Sequence, residues 1–122
     1  MKKITKDNIG KFLIRHYPEY KEKYIQHMRE YGDFLGTLFF EDVIVHPIVK
    51  MYPFREENID QIKRYCELIE QMWREGDERV KSYVDVPILE VTWYVIEEYL
   101  SPELRLYMNT ELSNTAVSLM TS

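Results

Sequence analysis

The sequence predicts an all-α fold, built as a single domain of about six or seven helices. Apolar residues recur at the three- and four-residue intervals of amphipathic helices along most of the chain, and no segment shows the two-residue alternation of a strand as strongly. A length of 122 residues fits one domain, and 45% hydrophobic with 30% charged residues is typical of a protein with a packed core. We treat residues 1–122 as one domain, arranged either as a closed bundle or as a short solenoid-like stack.

Two helices are expected in the first third of the chain. The first follows Thr5 or Asp7, either of which can cap it, and it ends before Pro18. Pro18 opens the second helix, after which Gly32 and Gly36 are expected to kink or end it. One face of this second helix carries Tyr20, Tyr24, Met28 and Tyr31.

Residues 38–52 form the ambiguous segment. Pro47 lies in its middle, surrounded by residues that are enriched in strands. These β-branched residues are Val43, Ile44, Val45, Ile48 and Val49. We expect a short buried helix here.

The clearest helix is expected over residues 56–75, with Gly76 as its C-terminal stop. One apolar stripe runs along it, consisting of Ile59, Ile62, Tyr65, Cys66, Ile69, Met72 and Trp73. A helix with one continuous apolar stripe packs that stripe against the core.

Three further helices complete the predicted domain. Asp77 can cap a short helix whose core-facing residues are Val80, Tyr83 and Val84. Asp85 and Pro87 then begin a helix over residues 87–100, which is apolar around most of its circumference and is expected to be the most enclosed. Ser101 and Pro102 start a last helix that ends at Met108, and the tail from about residue 110 is expected to fray.

The charge of the chain is unevenly distributed. The net charge is −5, with eight Lys or Arg against four Asp or Glu in residues 1–30 and eight against seventeen in residues 31–122. An acidic surface repels the phosphates of nucleic acids and attracts basic molecules. We therefore expect a basic protein partner and no direct binding of nucleic acid.

Cysteine content and hydropathy indicate the compartment. Cys66 is the one cysteine, so an intramolecular disulfide is excluded, and the first residues lack the apolar segment of a signal peptide. No stretch reaches the roughly eighteen apolar residues of a membrane span. We expect a cytoplasmic protein without a membrane partner.

Side chains capable of catalysis are scattered through the sequence. Of the three histidines, His16, His27 and His46, the last would share a helix face with Asp42, four positions before it, whereas a metal site needs three or four ligands. Cys66 falls on an apolar stripe, where a thiol is unreactive. With no glycine-rich phosphate loop and no cysteine pair for zinc, we expect a non-enzymatic protein without a catalytic, cofactor or metal site.

The most distinctive predicted surface is the polar side of the 87–100 helix. It consists of Glu90, Tyr94, Glu97 and Glu98, which we call the acidic strip, and the helix contains no basic residue to neutralise it. Elsewhere carboxylates have basic residues four positions away, in the pairs Asp60–Arg64, Lys63–Glu67 and Glu70–Arg74. An aromatic ring among unneutralised charges is typical of interfaces, so we predict that the strip binds the partner. The alternative is that Arg or Lys from a neighbouring helix neutralises it.

Tyrosine is abundant, with ten residues in the chain. Some lie on apolar stripes, whereas Tyr17, Tyr52 and Tyr94 fall at turns or on polar faces. Exposed aromatic residues are enriched in interfaces, and the excess of tyrosine favours a binding protein.

One region resembles a family of short all-helical bacterial proteins of unassigned function. It spans residues 67–93, where an acidic and aromatic helix end precedes Gly-Asp and a valine-rich helix that leads into Leu-Glu. The matching positions are Ile69, Glu70, Met72, Gly76, Asp77, Val80, Val84, Val86, Leu89 and Glu90, and a second similar segment contains Tyr31, Gly32, Leu35 and Phe39.

Such proteins resemble the immunity proteins of polymorphic or contact-dependent toxin systems, which bind a nuclease domain and block its active site. The resemblance implies an immunity protein with a toxin domain as its partner, and it assigns no site residues. The acidity of the chain agrees with this implication, because an acidic inhibitor can mimic the nucleic acid that a nuclease binds. Two alternatives stay open: a small helical enzyme or ligand-binding domain with an interhelical pocket, and a homodimeric adaptor.

Overall fold

Residues 3–110 are described by a computed structural model, apart from the side chains of residues 86 and 87, and they confirm the all-α fold in a single domain. The β-structure within this range is an isolated parallel bridge between Ile4 and Gly76. The predicted fraying of the tail from about residue 110 lies outside the described residues.

The first two helices are α1 (Ile9–His16) and α2 (Lys21–Tyr31), separated by a 3-10 turn over Pro18–Tyr20. Neither Thr5 nor Asp7 occupies the cap position of α1, because a preceding turn places Asn8 there, with its side chain accepting the Thr5 N–H at 2.8 Å. Gly32 ends α2 in the left-handed conformation, with φ of 68°, which favours glycine.

Residues 36–58 are helical apart from a kink at Phe54, where φ of −118° and ψ of 23° are not helical, and the helix predicted over 38–52 is confirmed. They form α3 (Gly36–Phe40), a π-helical turn over Glu41–Val45, α4 (His46–Met51) and a 3-10 segment over Tyr52–Asn58. Pro47 is accommodated because it lies in the first turn of α4, where a missing N–H is tolerated.

Helix α5 (Ile59–Glu75) is the longest element among the described residues. Gly76 ends it in an extended conformation, with φ of −77° and ψ of 151°. The amide of Asp77 then donates to the Ile4 carbonyl at 2.9 Å, which ties the N-terminal segment to the end of α5.

The predicted break at Asp85 and Pro87 is wrong, because residues 78–99 form one helical run. It consists of α6 (Glu78–Tyr83), a π-helical turn over Val84–Leu89, α7 (Glu90–Ile96) and a 3-10 turn over Glu97–Tyr99. A π-helical turn changes the backbone hydrogen-bonding register, so the missing proline N–H does not end the helix. Helix α8 covers residues 102–110. Its predicted cap is confirmed, since the Ser101 hydroxyl accepts the Leu104 N–H at 3.2 Å.

The described helices pack around one core. The runs 36–51 and 78–99 lie parallel, because α3 contacts α6, the two π-helical turns contact each other and α4 contacts α7. Helix α5 connects the two runs and packs against the second. The largest fully buried side chains are Phe39, Phe40, Ile9, Leu13, Ile44, Ile48, Ile62, Leu68, Ile69, Met72, Ile88 and Leu89. Within residues 3–110, no helix combines the length and apolar composition of a membrane span.

Candidate functional site

The acidic strip lies on α7 and on the 3-10 turn that follows it, and all four of its side chains are exposed. Helix α7 is therefore not the fully enclosed element that the sequence suggested. It buries Thr92, Val95 and Ile96 but leaves Val91 44% and Tyr94 54% exposed. Apolar residues thus extend beyond the face that the core covers.

Tyr94 forms an aromatic pair with Tyr52, which begins the 3-10 segment after α4. The ring centroids are 5.1 Å apart at an interplanar angle of 65°. Val49 and Val91, one helical turn before the two tyrosines, are also exposed. We call these four residues the aromatic seam. Sequence reasoning identified both tyrosines separately but missed their pairing, which depends on the parallel packing of α4 against α7.

A cation lies at one end of the aromatic seam. The guanidinium of Arg55 is 4.5 Å from the centroid of the Tyr52 ring, and its Nη1 donates to the Tyr52 carbonyl at 2.9 Å. Arg55 and Tyr94 thus both contact the Tyr52 ring. An exposed ring with fixed neighbours loses little conformational entropy when a partner covers it.

The carboxylates of the acidic strip have no ion-pair partner within the described part of the chain. The salt bridges found there involve Glu19, Asp33, Asp42 and Glu67, whereas Glu90, Glu97 and Glu98 take part in none. The alternative in which a neighbouring helix supplies a direct counter-charge is therefore not observed among these residues. The strip presents three carboxylates without a direct ion pair beside the aromatic seam.

Glu98 also lines a groove of about 850 Å³ along α5. Glu67 and Glu70 of α5 also line this groove, as does Tyr99, which follows Glu98 in the sequence. Partial burial and the neighbouring Glu98 carboxylate raise the pKa of Tyr99. Lys63 and Arg74 of α5 line the same groove, so its charge is mixed.

The three ion pairs predicted within α5 are not observed among the described residues, and Arg64 and Glu70 have other partners. Arg64 does not pair with Asp60. Its guanidinium contacts both carboxylate oxygens of Glu19, at 2.8 and 3.2 Å, and its Nη1 donates to Glu67 at 3.2 Å. Glu70 accepts the Ser101 N–H at 2.6 Å, and neither Glu70–Arg74 nor Lys63–Glu67 is an ion pair among the described residues. Tertiary packing brings the 3-10 turn between α1 and α2 next to α5, a contact that spacing within one helix does not indicate.

The histidines do not form a common site. His16 and His46 are exposed, whereas His27 is buried and accepts a hydrogen bond from the Leu35 amide at 3.0 Å. His27, Asp42 and His46 line a groove of about 430 Å³ between α2 and the first π-helical turn. Within residues 3–110, no three His, Cys, Asp or Glu side chains converge closely enough to hold a metal ion.

Cys66 is a buried core residue, as predicted from its apolar stripe. Its exposed fraction is 3%, and burial raises the pKa of the thiol to about 12. A thiol with so high a pKa is protonated at neutral pH and is a poor nucleophile.

Comparison with known proteins identifies a family. The chain matches no curated protein and no solved structure. Residues 11–114 match a family described as a domain of unknown function, DUF7674. This match includes the acidic strip, the aromatic seam and both grooves, and it covers most of the chain, so the protein belongs to the DUF7674 family.

Proposed function

We propose that this protein is a non-enzymatic binding protein that holds a basic protein partner on the acidic strip and the aromatic seam. The observation that carries the proposal is the exposed Tyr94 ring, paired with Tyr52, beside three carboxylates that lack an ion-pair partner among the described residues. A partner that covers the rings would gain apolar contact, while its Lys and Arg side chains would meet the carboxylates.

Electrostatics supports a basic partner over a neutral one. The segment 31–122 has an excess of nine acidic residues, since it contains seventeen Asp or Glu and eight Lys or Arg. Such a charge distribution accelerates the association of a cationic protein and disfavours nucleic acid.

We further propose that the partner is a toxin domain with nuclease activity and that this protein acts in the cytoplasm as its immunity protein. The resemblance of residues 67–93 to helical bacterial proteins of this kind supports the proposal. A nuclease needs a basic cleft for phosphate, and an acidic surface of complementary shape can occupy that cleft.

The test begins with affinity capture of the partner from the cells of origin. The partner is then purified, and its binding and enzymatic activity are measured with wild type and with Glu97→Lys/Glu98→Lys. The matched control, Asp7→Lys/Glu22→Lys, reverses two exposed carboxylates of the basic N-terminal quarter and changes the net charge equally. We expect the strip variant alone to lose binding and inhibition.

Two results would contradict the proposal. Equal binding by the strip and control variants would show that the acidic strip is not part of the interface. Capture of a partner without toxic or nuclease activity would leave the binding surface intact but would rule out the immunity function.

A homodimer is the second candidate, and the aromatic seam favours it. Tyr52, Tyr94, Val49 and Val91 expose an apolar edge that a second copy could cover by two-fold symmetry. Sedimentation equilibrium distinguishes the two functions, because the homodimer requires a concentration-dependent dimer that Tyr94→Ala weakens. A monomer at every accessible concentration would exclude it.

A further inference from the structure

His27 is a buried hydrogen-bond acceptor in the middle of α2. It is 7% exposed, and its Nε2 accepts the Leu35 N–H at 3.0 Å. Three aromatic rings surround the imidazole at centroid distances of 4.8 to 5.6 Å, those of Tyr31, Phe34 and Phe39.

This hydrogen bond connects α2 to the start of α3. Gly32 ends α2, and Leu35 immediately precedes α3. The residues between them are held by local contacts, since Asp33 accepts the amide of Phe34 at 2.9 Å and pairs with Lys6 at 2.9 Å. The contact from His27 is the one that fixes Leu35 directly to the body of α2.

The contact requires a neutral imidazole with its proton on Nδ1. An unprotonated Nε2 can accept the Leu35 N–H, whereas a protonated Nε2 would oppose one N–H with another. We propose that His27 is a pH-sensitive switch whose protonation releases the Leu35 amide, loosens the connection between α2 and α3 and changes the groove lined by His27, Tyr31, Leu38 and Phe39.

Burial and the charged groups around His27 have opposing effects on its pKa. Burial is the largest effect and lowers the pKa of His27, while the negative charges of Glu30, Asp33 and Asp42 oppose it. Lys23, Glu41 and His46 also line the groove, and Lys6 and Arg79 act on Asp33. Because the pKa is lowered in the folded protein, the stability that neutral His27 contributes is present above its ordinary pKa of 6.5 and is lost as the pH falls towards the folded value.

An exposed apolar surface lies next to His27 and would change when His27 is protonated. Tyr31, Leu35 and Leu38 are 45%, 37% and 47% exposed and lie at the end of α2 and the start of α3. Release of the Leu35 amide would rearrange this apolar edge, so acidification would alter what the groove can bind without disturbing the acidic strip on α7.

The test is an NMR titration of the wild-type protein. Long-range ¹⁵N–¹H correlations of the histidine rings report the tautomer, and hydrogen exchange reports the protection of the Leu35 amide relative to its intrinsic rate. We expect the Nδ1–H tautomer at neutral pH and a loss of Leu35 protection of about fivefold to tenfold on protonation of His27, as for one lost hydrogen bond. The amide of Lys81, which donates to Asp77, serves as the control and should keep its protection.

A variant tests the same switch through stability. His27→Gln supplies a neutral acceptor that does not titrate, so its stability should change less than that of wild type between pH 7.5 and pH 5. His16→Gln and His46→Gln remove exposed histidines and should retain the wild-type change. An Nε2–H tautomer, or unchanged Leu35 protection across the His27 titration, would overturn the proposal whether or not His27→Gln folds.

Discussion

Gly10 shows how a single residue sets the distance between two helices. It is buried in α1, and a methyl group added at this position would overlap the ring of Tyr24 on α2. The absence of a side chain therefore lets α1 and α2 approach each other closely. Neither helical periodicity nor residue type reveals this contact, because it depends on which faces of the two helices meet.

We predict that Gly10→Ala destabilises the protein by about 1–3 kcal/mol through overpacking, despite the better helix propensity of alanine. Urea denaturation followed by circular dichroism measures the change. Lys11→Ala, at the exposed neighbouring position, should have little effect. If overpacking is the cause, Gly10→Ala should cost less in a Tyr24→Leu background, and an equal cost in both backgrounds would reject this explanation.

Arg64 connects α5 to the corner between α1 and α2. Its guanidinium contacts Glu19 through two hydrogen bonds, donates to the His16 carbonyl at 3.0 Å and lies 4.3 Å from the centroid of the Tyr17 ring. The hydrogen bond from Arg64 lowers the pKa of Glu19. The pair is partly exposed, so solvent screens much of its interaction energy.

We predict that Arg64→Met lowers the free energy of unfolding by about 0.5–1 kcal/mol at pH 7. Because the pKa of Glu19 is lowered, the stabilisation is complete above the ordinary value of 4.5 and disappears as the pH falls through the folded value. The difference between wild type and variant should therefore shrink between pH 5 and pH 2.5, as measured by urea denaturation. Arg74→Met, an exposed position of the same helix, is the control, and a difference independent of pH would refute the assignment to Glu19.

At the scale of elements, the caps predicted at Asp77 and Ser101 are confirmed, whereas the cap predicted at Thr5 or Asp7 and the break predicted at Pro87 are wrong. Asp77 caps α6 as its residue type indicates, since a short polar side chain that accepts a backbone N–H is a local property. The continuity of residues 78–99 through Pro87 was not predicted, because the π-helical turn that permits it is stabilised by packing against the other π-helical turn. Local sequence signals identify positions at which a helix can begin. Tertiary contacts decide whether a new helix begins there or the preceding helix continues.

We predict that Asp77→Ala destabilises the protein by about 0.5–2 kcal/mol, the usual cost of removing an N-cap. The side chain of Asp77 accepts the Val80 N–H at 3.0 Å, and alanine leaves that donor without a partner. Asp77→Asn is the matched control, because asparagine caps about as well. Thermal unfolding of the three proteins gives the comparison, and equal losses for both variants would indicate that the charge of Asp77 matters more than its cap.

At the scale of the whole molecule, the candidate site could be predicted only in part. The acidic strip follows from helical spacing and from the absence of basic residues in one segment, and all four of its side chains are exposed. The aromatic seam was not predicted as a unit, since Tyr52 and Tyr94 lie 42 positions apart in the sequence and meet only because the runs 36–51 and 78–99 are parallel. The groove along α5 likewise combines residues of α5 with Glu98 and Tyr99 of the 3-10 turn after α7.

The acidic strip and the aromatic seam should contribute to different steps of binding. Carboxylates act at long range and accelerate encounter with a basic partner, whereas a ring acts only after contact and slows dissociation.

We predict that Glu97→Lys/Glu98→Lys mainly lowers the association rate, with a larger defect at low ionic strength, where charges are less screened. Tyr94→Ala should instead raise the dissociation rate, at a cost in binding free energy of about 2 kcal/mol or more if the ring is an anchor. The Glu97→Lys/Glu98→Lys variant should retain stability within about 0.5 kcal/mol of wild type, because both substituted side chains are exposed. Surface plasmon resonance with the purified partner at two salt concentrations separates the two rates. Wild-type kinetics for both variants would show that the acidic strip is an ordinary solvated helix face.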